Sequence, residues 1–111
     1  MDNLPEIVSQ LLQRTKENKV VWETTVDNQV FLATLSSASV RMSQTLNRFD
    51  LYDVFLSVID DYGHVLESID TRGLEDSLNS DLTELYELAR QSALGIKKKL
   101  EELLRELEQT A

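Results

Sequence analysis

The sequence predicts an α+β fold: an N-terminal helix, an antiparallel meander of about five strands, and a long C-terminal helix packed on the sheet. Three features carry that prediction. Apolar residues recur at helical spacing near the N-terminus, five short β-rich stretches separated by brief polar turns follow, and the last third repeats apolar residues at alternating intervals of four and three. Short turns between consecutive strands fit a meander and leave no room for βαβ crossovers.

The first helix is expected over 4–17. Asn3 stands three residues before Glu6, the spacing of a capping box, and Pro5 falls in the first turn, where its missing N–H costs nothing. Ile7, Val8, Leu11 and Leu12 form one apolar stripe, and "KENK" ends the helix. Strands are then expected in "VVWETT", "VFLATL", "SVRMSQTL", "YDVFLSVID" and "HVLESID", between Val20 and Asp70. In the fourth, Val54, Leu56 and Val58 share one face, while Phe55, Ser57 and Ile59 share the other.

After the breaker-rich "TRGLEDSLNS", a helix is expected from Asp81 to Gln109, with Asp81 and Glu84 at N-capping spacing. Lys97–Glu101, Lys98–Glu102 and Glu101–Arg105 are opposite charges four apart. Leu82, Tyr86, Ala89, Ala93, Ile96, Leu100, Leu103 and Leu107 are spaced 4, 3, 4, 3, 4, 3, 4, the alternation of a coiled-coil seam, and Leu104 broadens its second half. Gly95 is the weak point, marking either a close backbone crossing or a hinge. Such a helix would be about 43 Å long, whereas strands of six to eight residues span about 20–27 Å. Its leucine-rich half therefore overhangs the sheet, where exposed leucines mark an association surface. The competing expectation is that the N-terminal helix, through Leu4, Ile7, Leu11 and Leu12, folds back to cover Ile96, Leu100, Leu103 and Leu107. The chain is thus expected to be one domain over 1–111: helix 1–18, sheet 20–70 and long helix 80–109.

Composition narrows the function. Hydrophobic residues make up 41% and charged residues 28%, as in globular domains. The absence of cysteine excludes disulfides and thiolate chemistry. No apolar run approaches the roughly 18 residues of a membrane span, and the first residues lack the layout of a signal peptide, so a cytoplasmic protein is expected. The net charge is −9, and between Asp50 and Glu87 eleven acids face one base, Arg72. That field disfavours direct binding to nucleic acid or to an anionic membrane.

"IDDYGHVLESID" gathers Asp60, Asp61, Glu67 and Asp70 around His64, the one histidine. Asp followed by Gly between two alternating stretches is hairpin chemistry, and Gly63 supplies the positive φ that closes such a turn, often with a bulge. The stretch lacks EF-hand spacing, and a single histidine without cysteine makes a poor zinc set. No glycine-flanked serine or phosphate-cradling loop is present. No catalytic residue, metal or cofactor is therefore expected. Asp60, Asp61 and Tyr62 are read as surface contacts. Among the aromatics, Trp22, Phe31 and Phe55 are expected to fill the sheet–helix interface.

The stretches "VVWETT", "FLATLSSASV", "LSVIDDYGHVLESI" and "LYELARQSAL" resemble a set of small uncharacterised bacterial proteins with the same element order. The acidic composition, size and α-β-α order are also similar to type III secretion chaperones, although no helix is expected between the third and fourth strands here. That resemblance implies a dimeric, non-enzymatic clamp for other protein. The expectation is a protein-interaction module, whether adaptor, chaperone-like clamp or neutralising partner. It would act through the long helix, at Ile96, Leu100, Leu103 and Leu107, and the acidic face, or through the sheet edge, on a protein partner or a second copy. An acidic inhibitor that mimics nucleic-acid charge is the alternative, and a small hydrolase or metal-binding protein the third.

Overall fold

A computed structural model describes residues 3–72 and 76–110, except for the side chain of Asp76. The elements are α1 (Leu4–Lys16), β1 (Trp22–Thr24), β2 (Val30–Thr34), β3 (Ser39–Leu46), β4 (Tyr52–Ile59), β5 (Val65–Asp70), α2 (Asp76–Leu94) and α3 (Ile96–Gln109). The strands form one antiparallel sheet in the order β1-β2-β3-β4-β5, the expected meander.

Period-two alternation decides which face of the sheet is covered. The register aligns Trp22, Ala33, Val40 and Val58 in one row and Phe31, Met42, Leu56 and Ile69 in the next, all on one face. Leu4, Val8, Leu11 and Leu12 of α1 and Leu82, Leu85, Tyr86 and Ala89 of α2 join that face in a single buried cluster. Phe55 falls out of step with Val54 and Leu56 and lies on the opposite face. It is half-buried under the Arg72 guanidinium, 5.0 Å from its ring centroid. Trp22 and Phe31 fill the interface as expected, and Phe55 does not.

Local chemistry sets the ends of the elements. α1 stops through Asn18, which takes a positive φ of 60°. The Lys19 N–H reaches the Arg14 carbonyl and the Asn18 N–H reaches that of Thr15, the bond pair of a Schellman motif. Asn3 occupies the N-cap position of α1 but makes no side-chain cap bond, so the capping box suggested by its spacing from Glu6 does not form. The C-terminal segment corrects the expectation in two ways. Helix begins at Asp76, which leaves Asp81 and Glu84 inside it and not at its cap. It then breaks at Gly95, whose φ of 62° and ψ of 34° are left-handed. A Cβ at Gly95 would meet nothing within 4 Å, so the residue serves a turn and not a close crossing. The expected breaker "TRGLEDSLNS" is helical from Asp76 onward, and its residues 73–75 lie outside the described residues.

Trp22, the one tryptophan, is buried with its indole N–H donating to the equally buried Thr15 hydroxyl at 3.1 Å, a bond that ties β1 to α1. Thr15→Val keeps the shape and removes the acceptor. Urea unfolding followed by Trp22 fluorescence is expected to show a loss of about 1–3 kcal/mol, the cost of an unsatisfied buried donor.

Candidate functional site

Past Gly95 the chain leaves the core. None of the residues of α3 is buried, and Leu100, Leu103, Leu104 and Leu107 are 59%, 50%, 58% and 58% exposed. Ile96, at the elbow, is half-buried. The apolar spacing that α2 buries through Leu82, Tyr86 and Ala89 thus continues on α3 with nothing of this chain over it. α1 packs beside α2 and not over α3, so the fold-back cover does not form. The overhang stretches the molecule to 58 × 37 × 26 Å, with a radius of gyration of 15.7 Å. A compact chain of this length would have about 13 Å. At the elbow a groove of about 390 Å³ is lined by Gln91, Ile96, Lys97, Leu100, Glu101 and Leu104.

The charges of α3 run against its own dipole. Its first turn carries Lys97, Lys98 and Lys99 and no acid, while Glu106 and Glu108 stand in a last turn that has no base. A helix favours acids at its N-terminus and bases at its C-terminus, each worth about 0.3–1 kcal/mol. Among the described residues, the ion pair within α3 is Lys99–Glu102 at 3.6 Å. None of the three pairs expected four residues apart closes to that distance. A 14-residue helix is marginal by itself in water, and α3 lacks both a buried face and a favourable charge order.

The hairpin tip is the second predicted feature, and its geometry is that of a turn. The Asp60 carboxylate accepts from the backbone N–H groups of Tyr62 and His64, both at 2.9 Å, and its other oxygen lies 3.2 Å from His64 Nδ1. The Asp60 N–H reaches the His64 carbonyl, the Gly63 N–H reaches that of Asp60, and Gly63 has φ 85°. A register shift at Val58/Ile59 is the expected bulge. The β3–β4 loop repeats the pattern. Asn47 Oδ1 accepts from the Phe49 and Leu51 N–H groups, and Asp50 takes the left-handed position with φ 59°. Two loops with one hydrogen-bond plan mark Asp60 as a turn former. Asp61 and Tyr62 are exposed, Tyr62 to 86%, and remain the surface groups of the tip.

Acceptance of the His64 N–H, reinforced by the Tyr62 N–H and the His64 side chain, holds the Asp60 carboxyl below its ordinary range against the opposing effect of burial. The described acids between Asp50 and Glu87 are spread over two loops, β4, β5 and α2, and several have partners. Asp70 meets Arg72 at 3.1 Å, Glu84 meets Lys16 at 3.2 Å, and Glu87 meets Arg90 at 3.1 Å. The Arg72 guanidinium lowers the Asp70 carboxyl. No group of three or more His, Cys, Asp or Glu side chains that could hold a metal occurs among the described residues.

Two further surface features stand apart from α3 and the hairpin tip. A cleft of about 620 Å³ opens between α1 and the end of the sheet, floored by Ile7, Leu11, Val20, Leu35 and Val40 and rimmed by Glu6, Arg14 and Lys19. On the edge strand β5, Val65 and Leu66 are about half exposed, and the bulge disturbs the regular edge there. No residue of the hairpin tip lines either the cleft or the elbow groove. No described helix is long and apolar enough to cross a membrane.

Comparison with known proteins returns no matching family model, no matching curated protein and no matching solved structure.

The role of Asp60 gives a pH dependence. A carboxyl held below its unfolded value near ~3.9 adds stability above that pH and loses it as pH falls through the folded value. Wild type is expected to melt above Asp60→Ala at neutral pH, with the gap closing below about pH 4. A gap that stays constant into strong acid contradicts the carboxylate's role in the turn.

Proposed function

We propose that this chain is a non-enzymatic protein-interaction module that works through α3. The observation carrying the reading is the uncovered face of Leu100, Leu103, Leu104 and Leu107 on a helix none of whose residues is buried. A helix of that length holds its shape mainly by burying an apolar face. Here the chain turns off the core at Gly95 before α3 begins, so the cover its apolar face lacks comes from another polypeptide. The core of α1, α2 and the sheet is complete without α3 and acts as the mount.

The elbow groove supports the same reading, because its apolar floor of Ile96, Leu100 and Leu104 continues the leucine face and offers a seat for one large side chain. Charge mimicry of nucleic acid draws less support, since several of the acids it needs are distributed and paired with Lys16, Arg72 and Arg90. Leu100→Asp/Leu103→Asp tests the reading directly. Both positions are exposed, so its melting temperature is expected within a few degrees of wild type. Affinity capture from extract of the native host is expected to retain a partner with wild type and lose it with the variant. Equal capture by both proteins overturns the reading.

A further inference from the structure

We infer that the occupant of the α3 face is the α3 of a second copy of this chain, lying antiparallel to the first. This rests on the reading of α3 as an interaction surface and adds the partner and its orientation.

Charge order along the helix carries the inference. Lys97, Lys98 and Lys99 fill the first turn, and from Glu101 onward four glutamates stand against Arg105 alone. An antiparallel neighbour brings its acidic end against the basic end of the first copy, and the reverse at the other end. The arrangement that opposes the dipole of each separate helix becomes complementary in the pair, and the two dipoles run in opposite directions.

The leucine spacing fits this orientation. In the seam, Ile96 and Leu103 hold one heptad position (d) and Leu100 and Leu107 the other (a). Antiparallel pairing stacks Ile96 on Leu107 of the second copy and Leu100 on its Leu103, and one two-fold axis generates all four layers. Both Lys99 and Glu106 occupy the g position beside the seam, where g meets g in an antiparallel pair. Two symmetric Lys99–Glu106 bridges result. On the other flank the Lys97 stem lies over Leu104 of the second copy, and the end of its helix enters the elbow groove between Gln91 and Leu104. The Lys99–Glu102 contact at 3.6 Å is no obstacle, because the lysine is 83% exposed and free to change partner.

Parallel pairing fails on both counts. It sets three lysines against three lysines, and it faces Lys99 toward Leu104 and not toward an acid. It also crowds both bodies at one end of helices held about 8–10 Å apart, although the molecule measures 37 and 26 Å across. Antiparallel pairing places the bodies at opposite ends of helices about 21 Å long.

Sedimentation velocity at tens of micromolar protein is expected to give a dimer for wild type and a folded monomer for Leu100→Asp/Leu103→Asp. Lys99→Glu and Glu106→Lys, each alone, are expected to dimerise about tenfold more weakly, because each puts like charges at both g–g contacts. An equimolar mixture of those two variants is expected to regain wild-type association, since both contacts in the mixed dimer are then opposite in sign. A monomeric wild type, a dimeric leucine variant, single variants that associate as wild type does, or a mixture no tighter than its parts would each overturn the inference. A monomeric wild type that still captures another protein through its leucines removes the second copy alone. Loss of that capture difference as well removes the interaction module.

Discussion

Leu82, Leu85, Tyr86 and Ala89 turn one side of α2 onto the sheet, and every other feature depends on where that contact stops. The contact extends across β1 to β4, and the Tyr86 hydroxyl donates to the Gln29 carbonyl at 3.0 Å beyond β1. Burial of this ring raises the Tyr86 hydroxyl above its ordinary range. Ala93 still packs on the core, Leu94 is half exposed, and Gly95 turns the chain away. The spacing of apolar residues does not stop with the sheet. One half of a continuous pattern has its cover within the chain and the other half does not.

That division separates stability from function. α1, α2 and the sheet share one buried cluster, so substitutions there act on folding. α3 contributes no buried residue, which makes its leucines available for contact at little expense to the fold. The left-handed Gly95 sets α3 apart from α2 as a separate helix. Any side chain at that position would face about 1–2 kcal/mol of backbone strain, or would draw the two helices toward one straight rod.

Much of the fold was legible because alternation and turn chemistry are local. The limits of β3 coincide with the stretch "SVRMSQTL", and the tip at Asp60–His64 is the bulged hairpin that its Asp and Gly suggest. The exposed leucines of α3 were legible through the length of the apolar pattern, which outruns any strand of this sheet, although the single helix expected from Asp81 to Gln109 is two helices that part at Gly95. Phe55 lies outside the interface because register, and not residue type, sets its face: it stands on the side of β4 away from Leu56, beneath Arg72. α2 reaches back to Asp76, ahead of Asp81 and Glu84, because their capping spacing is one that a helix interior also tolerates. Two spatial features had no local signal: the cleft under α1, whose lining comes from four separate parts of the chain, and the elbow groove, which exists only because Gly95 bends the path.

The central claim is that α3 draws its stability from outside its own chain, and amide hydrogen exchange as a function of protein concentration tests it most directly. Amides in 96–109 are expected to exchange rapidly in dilute protein and to become protected as concentration rises, while those of α2 between Leu82 and Ala89 stay protected throughout. Protection of α3 equal to that of α2 in dilute protein, unchanged by concentration, would contradict the account.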